Sequence, residues 1–223
     1  MRTARLRRPD YAPSEHVGAE KSQLGRWFFN RLINLAGKLS TTMSISSAPP
    51  SPGGGKAFTL AGWNIRCGRN AGMTSAANGL EQMAVGFAVL MQTKSTEDCY
   101  TRLASGFKIL ASKATSRNQG GIALFWKENH PGYEVESARI ATPNLLTFQI
   151  ITGDERFYCM GIYIPPTDTT GVEDLRAAWE ACPEGCIPLV LGDLNIYFKE
   201  PPDKREEVIC NLLDDINLVD TSR

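Results

Sequence analysis

The chain has 223 residues, a hydrophobic content of 42% and a formal net charge of zero at pH 7, which allows one large domain or two small ones. The charge is uneven. Residues 1–56 carry nine Lys/Arg against three Asp/Glu, which gives +6 and leaves −6 for residues 57–223. An acidic main body argues against binding nucleic acid by bulk positive charge, but it permits a site where a bound metal supplies that charge locally.

Residues 1–56 are predicted to be a disordered basic leader that contributes nothing to the core. The stretch 1–22 is basic and polar, and residues 44–55 form a Ser/Pro/Gly linker. Between them a short amphipathic helix is predicted from apolar residues at helical spacing, namely Leu24, Phe28, Leu32, Leu35 and Leu39. This helix is either an isolated helix in a tail or a membrane-surface or targeting segment.

From residue 57 onward strands and helices alternate at both ends, around a β-rich middle. The predicted strands cover residues 58–65, 87–91, 107–111, 121–126, 135–140, 145–151, 156–164 and 187–191. The predicted helices cover residues 75–86, 172–181 and 204–216. This order predicts one α/β domain over residues 57–223, with layered sheets. No run of about 18 apolar residues exists, so no membrane span is predicted.

Six cysteines are scattered along the chain, at positions 67, 99, 159, 182, 186 and 210. Cys182 and Cys186 are the only close pair, and no second Cys/His pair has the spacing of zinc ligands. The pattern predicts reduced thiols in an intracellular protein, nuclear or cytoplasmic.

The run Gly192-Asp193-Leu194-Asn195 directly follows the apolar strand predicted over residues 187–191. Glycine lets the backbone turn, and an aspartate and an asparagine then leave the strand end two residues apart. Hard oxygen ligands of this kind suit Mg²⁺, with substrate phosphate and water at the other positions. Taken singly, the run is equally compatible with a capped turn after a core strand.

Polar residues also follow three earlier strands, in the runs Trp63-Asn64-Ile65, Leu90-Met91-Gln92-Thr93-Lys94 and Tyr163-Ile164-Pro165-Pro166. In this order and spacing, the four runs resemble the endonuclease/exonuclease/phosphatase family. Within that family they look most like the endonuclease domain of non-LTR (LINE-type) retrotransposons. The glycine pair Gly120-Gly121 is similar to the pair before that family's central strand. The resemblance covers roughly residues 58–223.

The resemblance implies a layered α/β sandwich of two mixed sheets flanked by helices, acting on DNA by Mg²⁺-dependent phosphodiester hydrolysis. Asn64 matches an asparagine that orders the metal and phosphate site, and Gln92 occupies the position of a metal-binding glutamate. Tyr163 matches a tyrosine that contacts the scissile phosphate. Asp193 matches the aspartate that orients or deprotonates the attacking water, and Asn195 matches an asparagine that hydrogen-bonds the phosphate. We therefore expect these five residues to lie together.

Two departures from the family pattern predict a chain that is impaired or inactive. Gln92 brings no negative charge to the metal position. The family's final strands and their Ser-Asp-His motif are not present before Arg223, and neither His16 nor His130 follows Asn195. Two alternatives stay open: a non-catalytic binding domain that uses the basic leader as an interaction arm, or another branch of the family acting on phosphoinositides, sphingomyelin or nucleotides. The oligomeric state is not indicated by the sequence.

Overall fold

A computed structural model describes residues 28–29, 39–46, 57–66, 70–196 and 201–216 of the chain. Three helices lie in this part: α1 Asn70–Gln82, α2 Thr170–Glu180 and α3 Lys204–Asp215. The strands there are β1 Phe28–Phe29, β2 Leu39–Ser46, β3 Ala57–Asn64, β4 Phe87–Met91, β5 Cys99–Arg102, β6 Phe107–Ala111, β7 Ile122–Lys127, β8 Glu134–Thr142, β9 Leu145–Thr152, β10 Glu155–Tyr163 and β11 Ile187–Asp193.

The first sheet contains seven of these strands, in the order β1-β2-β3-β4-β7-β6-β5. It is mixed, because β3 and β4 run parallel while the other neighbours run antiparallel. All five residues of β4 are buried. A continuous apolar run suits this central position, because a strand covered on both faces has no solvent side for polar residues.

The second sheet contains four strands, in the order β11-β10-β9-β8. Here β10 and β11 are parallel, and the other two pairings are antiparallel. The edge strand β8 is largely polar, and its register with β9 shifts twice. Polar residues and irregular pairing are typical of strands that end a sheet, because they discourage pairing with another chain.

The two sheets pack face to face, with a helix layer outside each of them. Phe87 and Leu124 of the first sheet share one buried cluster with Phe148 and Phe157 of the second. Helix α1 covers the outer face of the first sheet, where its apolar residues meet β3, β4, β6 and β7. Helices α2 and α3 cover the outer face of the second sheet. The predicted fold class, an α/β sandwich of two mixed sheets flanked by helices, is confirmed.

Helix α3 has a strong start signal at its N-terminus. The side chain of Asp203 accepts hydrogen bonds from the backbone N–H groups of Arg205 and Glu206, at 3.0 and 2.9 Å. The side chain of Glu206 in turn accepts from the backbone N–H of Asp203, which completes a capping box. The predicted helix over residues 204–216 is therefore present, and its position is set by its own sequence.

The predicted leader is wrong for residues 39–46, because these residues form β2 and pair antiparallel with β3. Leu39 and the pair Phe28–Phe29, which were placed in the amphipathic helix, are strand residues. The physical reason lies in the run LSTTMSIS, where Leu39, Met43 and Ile45 alternate with polar residues at the period of a strand. The other residues of the predicted helix, and most of the linker, lie outside the described residues.

Among the described residues, no helix is long and apolar enough to cross a membrane. Five cysteines lie in the part of the chain that the structure describes, and all five are free thiols. Cys159 is buried within β10, and Cys67 lies outside the described residues.

Candidate active site

Four strand ends bring the predicted site residues to one edge of the sandwich. β3 ends at Asn64, and β4 ends at Met91, directly before Gln92; these two strands are parallel and pair Asn64 with Met91. β10 and β11 are also parallel, and they end together with Tyr163 paired to Asp193. The carboxyl ends of parallel strands are where open α/β sheets place ligands.

Hydrogen bonds join the two sheets at this edge. The Asn64 side-chain amide donates from Nδ2 to Oδ2 of Asp193 at 2.7 Å, although the two residues are 129 positions apart. The Gln92 side-chain amide donates from Nε2 to the hydroxyl of Tyr163. Each of these bonds runs from the seven-stranded sheet to the four-stranded sheet. Four of the five predicted residues therefore belong to a hydrogen-bonded frame that spans the two sheets.

Asn195 completes this frame in two ways. Its backbone N–H donates to Oδ1 of Asp193 at 2.9 Å. Its side-chain Nδ2 donates to the carbonyl oxygen of Ile164 at 2.9 Å, in the segment that follows β10. Both carboxylate oxygens of Asp193 thus accept a hydrogen bond, which holds the carboxylate in one orientation. The structure brings all five predicted residues together, and their roles in chemistry stay predictions.

The backbone around the site is unusual. Arg66, Gln92, Lys94 and Asn195 all have positive φ, between 51° and 56°. For residues with a side chain, this left-handed conformation costs on the order of 1–3 kcal/mol each and clusters at functional sites. These residues follow the ends of β3, β4 and β11, so the strain lies where the chain leaves the sheets at the site edge.

The glycine pair supports the turn that carries Gln92. Gly120 and Gly121 have φ values of 89° and 84°, and their carbonyl oxygens accept from the backbone N–H groups of Lys94 and Thr93 at 3.1 and 3.2 Å. A Cβ atom on Gly121 would lie 2.5 Å from Oγ1 of Thr93. Glycine is required here because it supplies the left-handed conformation and leaves room for the adjoining turn.

Tyr163 is fully buried, and its environment controls its protonation. Burial raises the pKa of the Tyr163 phenol above its ordinary value, and the negative charge of Asp193 acts in the same direction. The hydrogen bond with Gln92 opposes this shift. The phenol therefore stays protonated at neutral pH, so its hydroxyl retains a proton that it can donate to an anion.

Arg66 is a site residue that the sequence analysis missed. Its charge lowers the pKa of Tyr163, so the guanidinium acts electrostatically on the centre of the site. Its backbone N–H donates to Oδ1 of Asn64 at 3.2 Å. Arg66 is exposed, which leaves its side chain accessible to a ligand. The sequence feature that could have identified Arg66 was its position two residues after Asn64, which ends β3.

His130 lies apart from this site. Its ring stacks on Tyr133, with ring centroids 4.2 Å apart, and its Nδ1 accepts from the backbone N–H of Gly132 at 3.1 Å. The side chain is half-buried. The cause is Tyr133, whose aromatic ring offers a stacking surface beside the turn.

The residues that surround the predicted metal position do not match a Mg²⁺ site well. Asn64 Oδ1 already accepts from Arg66, and both oxygens of Asp193 already accept from amide donors. Gln92 offers a neutral oxygen where Mg²⁺ prefers a carboxylate. Within the described residues, no group of three or more His, Cys, Asp or Glu could hold a metal ion.

No protein-family model and no curated protein matches this chain. Solved structures do match. One is the endonuclease domain of TRAS1, a telomere-specific non-LTR retrotransposon, with TM-score 0.51 and 15% identity over 71% of this chain and 72% of that chain. An AP endonuclease from Archaeoglobus fulgidus has TM-score 0.53 and 12% identity, over 70% of each chain. The AP endonuclease LMAP from Leishmania major has TM-score 0.54 and 11% identity, over 79% of this chain and 72% of that chain.

These similarities show which fold the chain has. The chain has the fold of the endonuclease/exonuclease/phosphatase proteins, as the order of its sequence motifs predicts. At 11–15% identity, the similarity does not extend to a particular activity.

Proposed function

We propose that this chain is a phosphodiester-recognising domain of retrotransposon endonuclease type, which binds DNA and hydrolyses it weakly or not at all. One observation carries the proposal. Gln92, a neutral amide at the position of the metal-binding glutamate, is hydrogen-bonded to Tyr163, within the same frame that orients Asp193. We infer that the site can still recognise a phosphate and that it lacks a charge that hydrolysis needs.

The retained groups fit recognition of a phosphate. The exposed guanidinium of Arg66 supplies a positive charge that a phosphate oxygen can contact directly, while the protonated phenol of the buried Tyr163 adds no negative charge to the site. Arginine pairs well with phosphate, because its planar N–H groups match two phosphate oxygens. In this proposal the water that in-line hydrolysis would require is held by the carboxylate of Asp193, whose orientation is fixed by two hydrogen bonds.

Hydrolysis is the step that this arrangement supports poorly. Negative charge develops on the phosphoryl oxygens in the transition state, and it must be stabilised by a cation or by donors placed in advance. Mg²⁺ belongs to the proposal as the expected cofactor of any residual hydrolysis, held weakly because Gln92 is neutral. Loss of one charge-stabilising group typically lowers the rate by about two to three orders of magnitude.

DNA is the proposed partner for two reasons. The structural neighbours named above are two AP endonucleases and the endonuclease domain of a retrotransposon. The excess of positive charge in residues 1–56 could add phosphate contacts to those of the site, while the remainder of the chain is acidic. Each such phosphate contact would steepen the dependence of affinity on salt concentration. The intracellular location, nuclear or cytoplasmic, is part of the same proposal.

The full chain is expected to show little or no nicking of supercoiled plasmid DNA in Mg²⁺, while binding a fluorescently labelled DNA duplex. Nicking is measured by gel electrophoresis of plasmid, and binding by fluorescence anisotropy. Asp193→Ala controls for contaminating nuclease. Arg66→Ala is expected to weaken binding several-fold, because it removes an exposed cation of the site, whereas the exposed Arg156→Ala, near the opposite end of β10 from Tyr163, is the matched control.

Three outcomes would contradict this proposal. Robust nicking that disappears in Asp193→Ala would show an active endonuclease that tolerates Gln92. Absence of duplex binding, with tight binding of an inositol phosphate or a nucleotide instead, would favour another branch of the same fold. Absence of binding to all three probes would leave the chain without a phosphodiester-recognising site.

A further inference from the structure

Arg205 occupies a position that the site residues do not explain. It is the second residue of α3, and its side chain is half-buried. Its guanidinium donates four hydrogen bonds, all of them to backbone carbonyl oxygens. The acceptors are Pro165 at 3.0 Å, Asp168 at 3.2 Å, Leu194 at 2.7 Å and Asn195 at 2.9 Å.

These four carbonyl groups belong to two separate segments of the site. Pro165 and Asp168 follow Tyr163 at the end of β10, and Leu194 and Asn195 follow Asp193 at the end of β11. Nη2 of Arg205 alone contacts both segments, since it donates to Pro165 and to Leu194. A planar guanidinium can bridge two chains in this manner because its five N–H groups point in set directions, which a lysine ammonium does not reproduce.

The location of this cation is unfavourable for the helix itself. The first turn of a helix carries the positive end of the helix dipole, so a cation there is destabilising. The capping box of Asp203 and Glu206 places carboxylates beside this end, which offsets part of the repulsion. The benefit of Arg205 therefore lies in the two segments that it joins and not in α3.

We propose that Arg205 is a positioning residue, which holds Asn195 in its left-handed conformation and thereby orients the carboxylate of Asp193. The chain of contacts is short. Arg205 Nη1 donates to the Asn195 carbonyl, Asn195 has a φ of 51°, and its N–H donates to Oδ1 of Asp193. The inference rests on the proposed function in one respect, which is that Asp193 serves a phosphodiester site. A second consequence is that the Arg205 guanidinium is engaged by the protein and is not available to bind phosphate.

The test is amide hydrogen exchange by NMR on the full-length chain, in Arg205→Ala, Arg205→Lys and the neighbouring exposed Lys204→Ala. In Arg205→Ala, exchange of the Asn195 amide is expected to accelerate by roughly tenfold or more, the factor that corresponds to one charge-assisted hydrogen bond. Amides of β4 in the core should keep their exchange rates. Lys204→Ala should change neither, because Lys204 is exposed and its neighbour makes all four contacts.

Arg205→Lys separates positioning from charge, and it serves if the alanine variant does not fold. It retains the positive charge but not the bridging geometry, so the Asn195 amide is expected to exchange several-fold faster than in the unchanged chain. Addition of low millimolar guanidinium to Arg205→Ala is expected to slow the exchange of Asn195 again. Equal acceleration of Asn195 and of the β4 amides, or wild-type exchange in Arg205→Lys, would overturn the proposal.

Affinity for a DNA duplex provides the second measurement, and it keeps the two proposals apart. If the unchanged chain binds DNA, Arg205→Ala is expected to lower the affinity several-fold, while Lys204→Ala leaves it nearly unchanged. If the unchanged chain binds no phosphodiester, the proposed function fails. The exchange of Asn195 still decides whether Arg205 positions this segment.

Discussion

A Gly192→Ala substitution is expected to separate β10 from β11 and to lower the free energy of unfolding by roughly 3 kcal/mol or more, a large effect for one substitution. Gly192 pairs with Ile162 in the parallel register of these strands. A Cβ atom at position 192 would lie 2.0 Å from the Ile162 carbonyl oxygen and 2.8 Å from its Cγ2. The carbonyl oxygen is part of the backbone, so relief requires the two strands to move apart.

The measurement is urea unfolding followed by circular dichroism. Gly79→Ala is a matched control, because a Cβ atom at position 79 would make only ordinary contacts, at 3.6 and 3.7 Å, with the ring of Trp63. Gly79 lies within α1, where alanine is favoured over glycine by about 0.5–1 kcal/mol. The control is therefore expected to be as stable as the unchanged chain or more so. Equal unfolding midpoints for Gly192→Ala and the unchanged chain would contradict the close approach at Ile162.

The second large effect is expected from Gln92→Glu, which should give the chain a stability that depends on Mg²⁺. A carboxylate at position 92 would lie beside the Tyr163 hydroxyl, near the charge of Asp193. Without a cation, the two like charges repel, and the unfolding temperature should fall below that of the unchanged chain. With Mg²⁺ present, binding to the folded state should reverse this loss. Linkage gives about 2.7 kcal/mol when the cation concentration is 100 times its Kd.

The measurement is thermal unfolding in EDTA and in a series of Mg²⁺ concentrations. Gln82→Glu introduces the same charge at an exposed position of α1 and is the matched control. It should show no Mg²⁺ dependence beyond that of the unchanged chain. We expect Gln92→Glu to gain Mg²⁺ binding without robust nicking of DNA, because the variant changes one group of the site only. A Gln92→Glu variant whose unfolding is insensitive to Mg²⁺ would show that position 92 is not at the metal position.

Several features of this protein were determined by short stretches of its sequence. β4 is a continuous apolar run, and such a run predicts a strand buried on both faces wherever it occurs. Asn64, Tyr163 and Asp193 each end a strand, so their order along the chain indicated the fold and their shared edge. The start of α3 is likewise local, because Asp203 and Glu206 form the capping box within one turn.

Strand β2 could not be predicted in this way, because its own sequence is compatible with a helix end or a linker as well as with a strand. Leu39 completed a helical spacing that began at Leu24, and the serines at positions 44 and 46 continued into a Ser/Pro/Gly stretch. The alternation of residues 39–46 becomes a strand only beside a partner, since its backbone groups need β3 for their hydrogen bonds. Whether residues 39–46 form a strand thus depends on a pairing partner that lies outside their own sequence.

The contacts that complete the site were decided by the tertiary structure alone. The left-handed conformation of Gln92 is unfavourable for its residue type, and that of Asn195 is tolerated by asparagine without being required by it, so no local preference predicts either. The contacts of Arg205 are with backbone carbonyl groups, which every residue possesses and which therefore leave no pattern in the sequence. The residue types at the strand ends indicated which chemical groups the site contains. The orientation of those groups depends on backbone atoms from distant segments, which only the packed chain brings within hydrogen-bonding distance.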